Sequence, residues 1–306
     1  MGAVIQQREI PGELLGELQE CTGGPKDLRA ALAEHGYVLV RGALDVDTVM
    51  TARAEVFGRL KSVGEIAEPI IDGIATGESL RPDPHGDGGS FWRSVSEGNA
   101  LRAVTHGECL LTLAAELHGE VARAHDLVYL RPTPSGRATN LHFDLPFFAG
   151  FAERILTSWI PLGDVPVSDG PLVIVEDSPG FSDLIDPLRA MDFAAEHANQ
   201  TVQTAAYEKQ NEQHPIDLAL ARGARLLTAD FRAGDVVFFS MFTLHGSLDN
   251  KSPVQRVRLS CDVRWQPFSE NSADPRYFGA NPTGSKGGGY ADMRGAKPLV
   301  ANSETT

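Results

Sequence analysis

The sequence predicts a mostly β fold with flanking helices, closed as a two-sheet jelly roll. Three observations carry that reading. From Leu127 onward the chain runs in short β-rich segments, at 127–131, 139–144, 155–162, 171–176, 224–228, 235–239 and 255–265, each of ordinary strand length. Pro-Ser-Gly and Asp-Gly-Pro turns punctuate them. Helix-length amphipathic stretches lie ahead of the strands, and seven or eight strands in this order suit two packed sheets around a central site. With 306 residues, 42% of them hydrophobic, the chain can bury a full core. We expect one domain over 1–306: a helical buttress at about 26–120, a jelly-roll core at about 125–270 and an irregular tail over 271–306.

In chain order, residues 1–25 read as irregular and end in Gly-Gly-Pro. Lys26 to His35 is a short amphipathic helix stopped by Gly36, where a left-handed residue ends helices. Tyr37 to Arg41 is a strand. Asp45 or Asp47 caps a second helix running to about Val63. Residues 64–96 are mixed and include Arg81-Pro-Asp-Pro-His-Gly-Asp-Gly-Gly-Ser, a loop expected to overhang the site. Leu101 to Leu117 is a helix. After the first four β-rich runs, 181–222 reads as a mostly helical insertion rich in Ala, Gln and Glu. The tail from about 267 is polar and glycine-rich, and Gly287-Gly-Gly289 lacks phosphate-loop spacing.

Composition excludes several functions. Lys and Arg total 27 against 41 Asp and Glu, a net charge of −14, which gives no electrostatic footprint for nucleic acid or an anionic membrane. Cys21, Cys109 and Cys261 are widely spaced without a C-x-x-C pair, which fits a reducing compartment and no zinc cluster. The first twenty residues lack a basic segment followed by an apolar run, and position 6 is Gln where myristoylation needs Ser or Thr. No apolar stretch approaches membrane-spanning length. The expectation is a cytoplasmic protein acting on a small molecule.

The chemistry concentrates in a split cluster. His142-Phe143-Asp144 sits mid-chain and His245 about a hundred residues later. On a strand, residues i and i+2 share a face, so His142 and Asp144 can grip one ion while Phe143 points away. Two imidazoles and one carboxylate, with positions left open, form the ligand set of non-haem Fe(II) oxygenases. After His245 come Ser247, Asn250 and, eleven positions on, Arg256 at the head of an alternating strand reaching Trp265. Arg256, Arg258, Ser260, Asp262 and Arg264 share one face; Val257, Leu259, Cys261, Val263 and Trp265 share the other. We read the polar face as the barrel interior, though an ordinary antiparallel strand would do the reverse. An arginine there suits a buried carboxylate, since its planar fork stays charged when buried. Parity does not separate Arg256 from Arg258.

This combination resembles the phytanoyl-CoA dioxygenase family of 2-oxoglutarate-dependent oxygenases. Ala31 to Gly42 is similar to the family's opening helix and strand, Thr157 to Leu162 to its central strand, and Ser168 to Leu172 to the loop beyond; the likeness covers about 26–270. It implies a double-stranded β-helix, Fe(II) on His142, Asp144 and His245, and 2-oxoglutarate and O2 as cosubstrates. Family spacing favours Arg256 for the keto-acid's far carboxylate, with Ser247 assisting and Trp159 lining the pocket. Plainer readings of the last two are a turn serine and a core tryptophan. Asn140, on the face of His142 and Asp144, is a candidate donor to keto-acid or substrate. Arg258 and Arg264 are then candidates for substrate or for pairing with Asp262, and His85 for reaching substrate from its loop. Phe143 departs from the family's frequent glutamine. The retained Asp144 argues for oxygenation over halogenation.

The expected function is hydroxylation of an unactivated C–H of a small molecule, a natural-product intermediate in particular. Desaturation, epimerisation or ring closure at the same centre is the first alternative, and a metal-binding sensor without turnover the second. Arg256 and Ser247 favour the enzyme over the sensor. The sequence shows no clustered Lys and Arg for the phosphates of an acyl-CoA.

Overall fold

A computed structural model of the chain describes residues 2–148, 151–189, 213–270 and 274–300. Two sheets face one another. The larger holds β4 (Tyr37–Val40), β10 (Val236–Ser240), β7 (Leu156–Pro161), β12 (Arg258–Pro267) and β5 (Ala122–Ala124) in that order, with β6 (Tyr129–Thr133) also paired to β12. The smaller holds β11 (His245–Ser247), β8 (Leu172–Val175), β9 (Leu226–Thr228) and β3 (Leu15–Glu17). All pairings are antiparallel except β3 with β9. A hairpin of β1 (Val4–Ile5) and β2 (Arg8–Glu9) stands apart, so the segment read as irregular supplies three short strands. The facing antiparallel sheets and flanking helices are the expected double-stranded β-helix.

The helices cover the outer face of the larger sheet. α1 spans Pro25–His35 and ends at Gly36 with φ 76°. α2 spans Val46–Lys61, capped by Asp45, whose carboxylate accepts from the Thr48 N–H at 2.8 Å. The single helix expected over 101–117 is two, α4 (Asn99–Thr105) and α5 (Glu108–His118). Gly107 turns the chain between them, and a Cβ there would lie 2.5 Å from the Ala103 carbonyl. α3 (Ser90–Ser96) forms inside the segment read as loop. Of the helical insertion expected between 181 and 222, residues 190–212 lie outside the described residues; helices occupy Ser182–Arg189 and Pro215–Arg222.

Strand parity sorts the interior. Leu259, Cys261, Val263 and Trp265 pack against α2, α4 and α5 residues such as Phe57, Leu101 and Leu110 in the largest core cluster. On the opposite face, cross-strand register aligns Asp262 with Trp159 and Tyr129, and Arg264 with Thr157. Between the sheets, Leu39, Trp159, Leu172, Ile174, Val237 and Phe239 make an apolar plug. The polar face of β12 is therefore interior, as expected, with Arg258, Asp262 and Arg264 buried along it.

Candidate metal centre and substrate cavity

His142 and His245 are direct cross-strand partners. Their backbones exchange N–H···O bonds of 2.8 and 3.1 Å, as an isolated bridge rather than the strand expected over 139–144. Gly246 permits this approach, because a Cβ there would lie 2.6 Å from the Thr139 carbonyl. Each imidazole is fixed by its own Nδ1, which faces the Asn140 carbonyl in His142 and the Thr243 carbonyl in His245, both at 2.9 Å. That leaves each Nε2 as the ligand atom. Ligand atoms of His142, Asp144 and His245 all lie within 4.8 Å of one another, and all three residues are buried.

Asp144 is held from two sides. The Thr157 hydroxyl donates to it at 2.7 Å and Arg264 pairs with it at 2.9 Å. Burial pushes its carboxyl up, but Arg264 and the two histidines outweigh burial and hold it well below the usual range. Burial, then neighbouring His245, pushes the His142 imidazole down to about 3, and burial lowers His245. Neutral imidazoles and an ionised carboxylate are what a divalent cation requires, so this donor set fits iron.

Arg131, Arg258 and Arg264 line the cavities at the triad and Arg256 lies outside them, and their partners separate the four. Arg131 pairs with Asp262 and Arg264 with Asp144 and Asp262. Arg256 pairs with Asp169 at 3.2 Å and is about one-third exposed, at 37%. Arg258 is buried, its Nε on the Gly170 carbonyl at 3.1 Å and its Nη1 on Ser260 at 2.6 Å. Among the described residues no carboxylate lies within ion-pair distance of Arg258. Burial and the nearby Arg131 push its guanidinium down to about 9. A small cleft brings Arg258 together with His142, His245, Ser247, Trp159 and Arg131.

The family model for Phytanoyl-CoA dioxygenase (PhyH) matches residues 32–257. The chain belongs to the phytanoyl-CoA dioxygenase family. It is a 2-oxoglutarate-dependent oxygenase with iron and 2-oxoglutarate as its cofactors. A curated relative, a 1-deoxypentalenic acid 11-beta-hydroxylase of Streptomyces exfoliatus, is 26% identical over 265 residues, covering 78% of this chain and 80% of the relative. The fold is shared with the epimerase SnoN solved with Fe3+, alpha ketoglutarate and nogalamycin RO, at TM-score 0.51 and 21% identity over 91% of this chain and 96% of that one. It is also shared with the carbocyclase SnoK from nogalamycin biosynthesis, at TM-score 0.51 and 20% identity over 94% and 97% of the two chains.

Several expected site residues sit elsewhere. Arg256, favoured by family spacing, stays outside the cleft. Gln255 has φ 59°, and the flanking backbone bonds to Gly73 and Ala75, so the strand begins at Arg258 instead. Arg264 makes the pairing with Asp262 that was one of its two expected roles, pairs with Asp144 as well, and lines the larger cavity. The exposed side chain of Asn140 lines the larger cavity beyond the metal centre, while its carbonyl orients His142. Ser247 is in the cleft, its hydroxyl accepting from the Thr139 N–H at 2.8 Å. Trp159 is both core and cleft wall. His85 is exposed and lines none of the cavities described here.

The larger cavity, about 700 Å³, opens beside His142 and Asp144. The loop over 64–96 does not overhang it, contrary to expectation. Its roof is the tail, with Thr283 to Lys286 and Asp292 to Lys297 contributing. Sequence reasoning passed over this segment because glycine-rich, aperiodic chain carries no burial signal. It also passed over Arg131, Thr139 and Thr157.

Proposed function

We propose that this enzyme hydroxylates an unactivated C–H bond of a small natural-product molecule, with Arg258 anchoring the far carboxylate of 2-oxoglutarate. The observation that carries the reading is a buried arginine without a carboxylate partner in the same cleft as the triad histidines. Asp262 lines the same cleft but acts on Arg258 only from beyond ion-pair distance; a buried charge without a direct partner is costly, and the keto-acid's carboxylate supplies one. A sensor that bound only metal would have no use for it. Ser247 and Trp159 complete that pocket.

Iron bound at the triad supplies the oxidising power that activates the substrate C–H when O2 and 2-oxoglutarate are consumed. The chain's own residues do the positioning. Thr157 and Arg264 hold the Asp144 carboxylate, the carbonyls of Asn140 and Thr243 aim the two imidazoles, and Phe147, Phe148, Leu127 and Met293 give the cavity apolar walls beside His142. Those walls exclude water and hold an apolar body near the metal. The curated relative's hydroxylase activity favours oxygen insertion over epimerisation or ring closure.

The test is succinate formation from 2-oxoglutarate by purified protein with Fe(II) and O2. His142→Ala, Asp144→Ala and His245→Ala should each abolish it with the fold intact by circular dichroism. Substrate product formed under isotopically heavy O2 should carry one labelled oxygen. A product without label would replace hydroxylation by epimerisation, desaturation or ring closure at the same centre.

A further inference from the structure

Arg131 and Thr139 line the cleft at the triad, the larger cavity and a smaller cavity beneath the tail alike, so they stand where the three spaces meet. Arg131 sits on β6 across from Ser260, with Arg258 and Asp262 as the next interior residues of β12 on either side. Its Nε is committed to Oδ2 of Asp262, which fixes the plane of the guanidinium. Its two Nη atoms make no hydrogen bond among the described residues, and neither is sealed from solvent. The Thr139 hydroxyl beside them is likewise without a partner among the described residues. The Arg131 side chain is only 20% exposed, so this is a largely desolvated fork opening on the barrel's cavities and not a surface group.

Charge counting shows what the fork lacks. On the barrel walls of the cleft and the larger cavity, Arg131, Arg258 and Arg264 face two carboxylates, Asp144 and Asp262. Fe(II) and doubly charged 2-oxoglutarate cancel one another, so the loaded centre keeps one positive charge in excess. Arg258 is matched by the keto-acid and Arg264 by Asp144, while Asp262 is divided between Arg264 and Arg131. The unmatched charge therefore falls on Arg131. A guanidinium held at Nε with both terminal nitrogens open has the geometry that takes a carboxylate bidentately.

We propose that the Arg131 fork binds a carboxylate of the substrate, whose apolar body lies along Phe147, Phe148 and Met293. The proposal rests on the oxygenase reading above and adds the substrate's class, a small carboxylic acid, and the residue that selects it. A cavity of about 700 Å³ suits one such molecule. Asp262 is then a positioning residue, which holds the fork through Nε and leaves the Nη pair to the ligand.

The test is calorimetric titration of the full-length protein, loaded anaerobically with Fe(II) and saturating 2-oxoglutarate so that the Arg258 pocket is filled. The probes are octanoate and cyclohexanecarboxylate, each against its near-isosteric amide. The acids should bind about tenfold or more tighter than the amides, since the two differ in charge and hardly in shape. Arg131→Gln should remove most of that preference, and Arg131→Lys, which keeps the charge and loses the fork, should keep part of it. Arg131→Gln leaves Asp262 to Arg264 alone, so the double change Arg131→Gln with Asp262→Asn removes both charges; it should lose the preference equally and melt near the wild-type temperature. The 2-oxoglutarate affinity of Arg131→Gln, read from charge-transfer absorbance, separates the substrate's carboxylate from the cosubstrate's and should stay near the wild-type value. Four results overturn the proposal: amides binding as tightly as acids, neither acid binding at millimolar concentration, the preference surviving in both glutamine variants, or Arg131→Gln losing 2-oxoglutarate as Arg258→Ala does, which would give the fork to the cosubstrate. Wild-type protein that takes up no 2-oxoglutarate would instead sink the oxygenase reading, and an acid-over-amide preference of metal-free protein that Arg131→Gln abolishes would still score the fork.

Discussion

At the scale of single residues, neighbouring side chains of one type are separated by what they are paired with. Arg256 and Arg258 share parity and differ by two positions, yet one pairs with Asp169 and the other has no carboxylate within ion-pair distance among the described residues. With the anchoring role proposed for Arg258, removing it would strip the keto-acid's buried carboxylate of its partner, a loss of roughly 2–4 kcal/mol. Arg258→Ala should therefore weaken 2-oxoglutarate by about two orders of magnitude in an anaerobic titration of the Fe(II) protein, with iron affinity little changed. Arg256→Ala should leave the keto-acid within about threefold of wild type; the opposite order would return the anchor to Arg256. Thr157 makes a similar case. Its hydroxyl orients Asp144 at 2.7 Å, and losing such a support commonly lowers metal affinity by about 10–100-fold. Thr157→Val, nearly isosteric, should do so in an Fe(II) titration while far-ultraviolet circular dichroism stays unchanged. The triad was legible because H-x-D and a distal histidine obey strand parity. The choice of arginine was not, because a single left-handed residue, Gln255, breaks the strand where no sequence rule requires it.

At the scale of elements, β12 does two tasks with its two faces, and that division was readable from alternation alone. Register then adds what alternation could not give. Arg264 lies across from Thr157, so one cross-strand pair supports one metal-ligand carboxylate. The tail shows the reverse situation. Among its described residues the only regular elements are short 3-10 turns, but Tyr277, Tyr290, Met293, Ala296 and Leu299 are buried. A fully buried ion pair, Glu65 with Arg81, fastens it: Arg81 holds the Gly295 and Lys297 carbonyls while Glu65 accepts from the Leu299 N–H at 3.2 Å. These contacts span more than two hundred residues of sequence, which is why no local pattern announced them. Breaking a buried pair from one side costs roughly 3–5 kcal/mol because the remaining charge is stranded. Arg81→Met should accordingly speed amide exchange over 291–299, and the double change Glu65→Leu with Arg81→Met should recover part of the protection. Unchanged exchange in the single variant would mean that apolar packing alone seats the tail.

At the scale of the whole molecule, the barrel keeps histidines neutral by burying them, and that ties its stability to pH. His125 is fully buried, 4.9 Å from Tyr277 in a stacked pair, with Nε2 facing Gln266 at 3.0 Å and Nδ1 making no hydrogen bond. Burial pushes both His125 and His142 from 6.5 down to about 3. Both pKa values are lowered on folding, so the unfolded chain binds more protons than the native one between about pH 3 and 6.5. Stability is then full above 6.5 and falls as the pH drops through that window. Each such histidine contributes about 1.4 kcal/mol per pH unit once well below its unfolded pKa, or about 2 kcal/mol between pH 6.5 and 5. The pair should cost metal-free protein about 4 kcal/mol over that interval, a large share of a typical domain's stability. His125→Phe keeps a ring for the Tyr277 stack and removes the titration. Its unfolding free energy, from denaturant melts across the window, should fall less steeply with decreasing pH than the wild type's, by about 1.4 kcal/mol per pH unit, even if loss of the His125 contact to Gln266 lowers the curve throughout. A slope equal to wild type would show that His125 is not among the groups that make the barrel acid-sensitive.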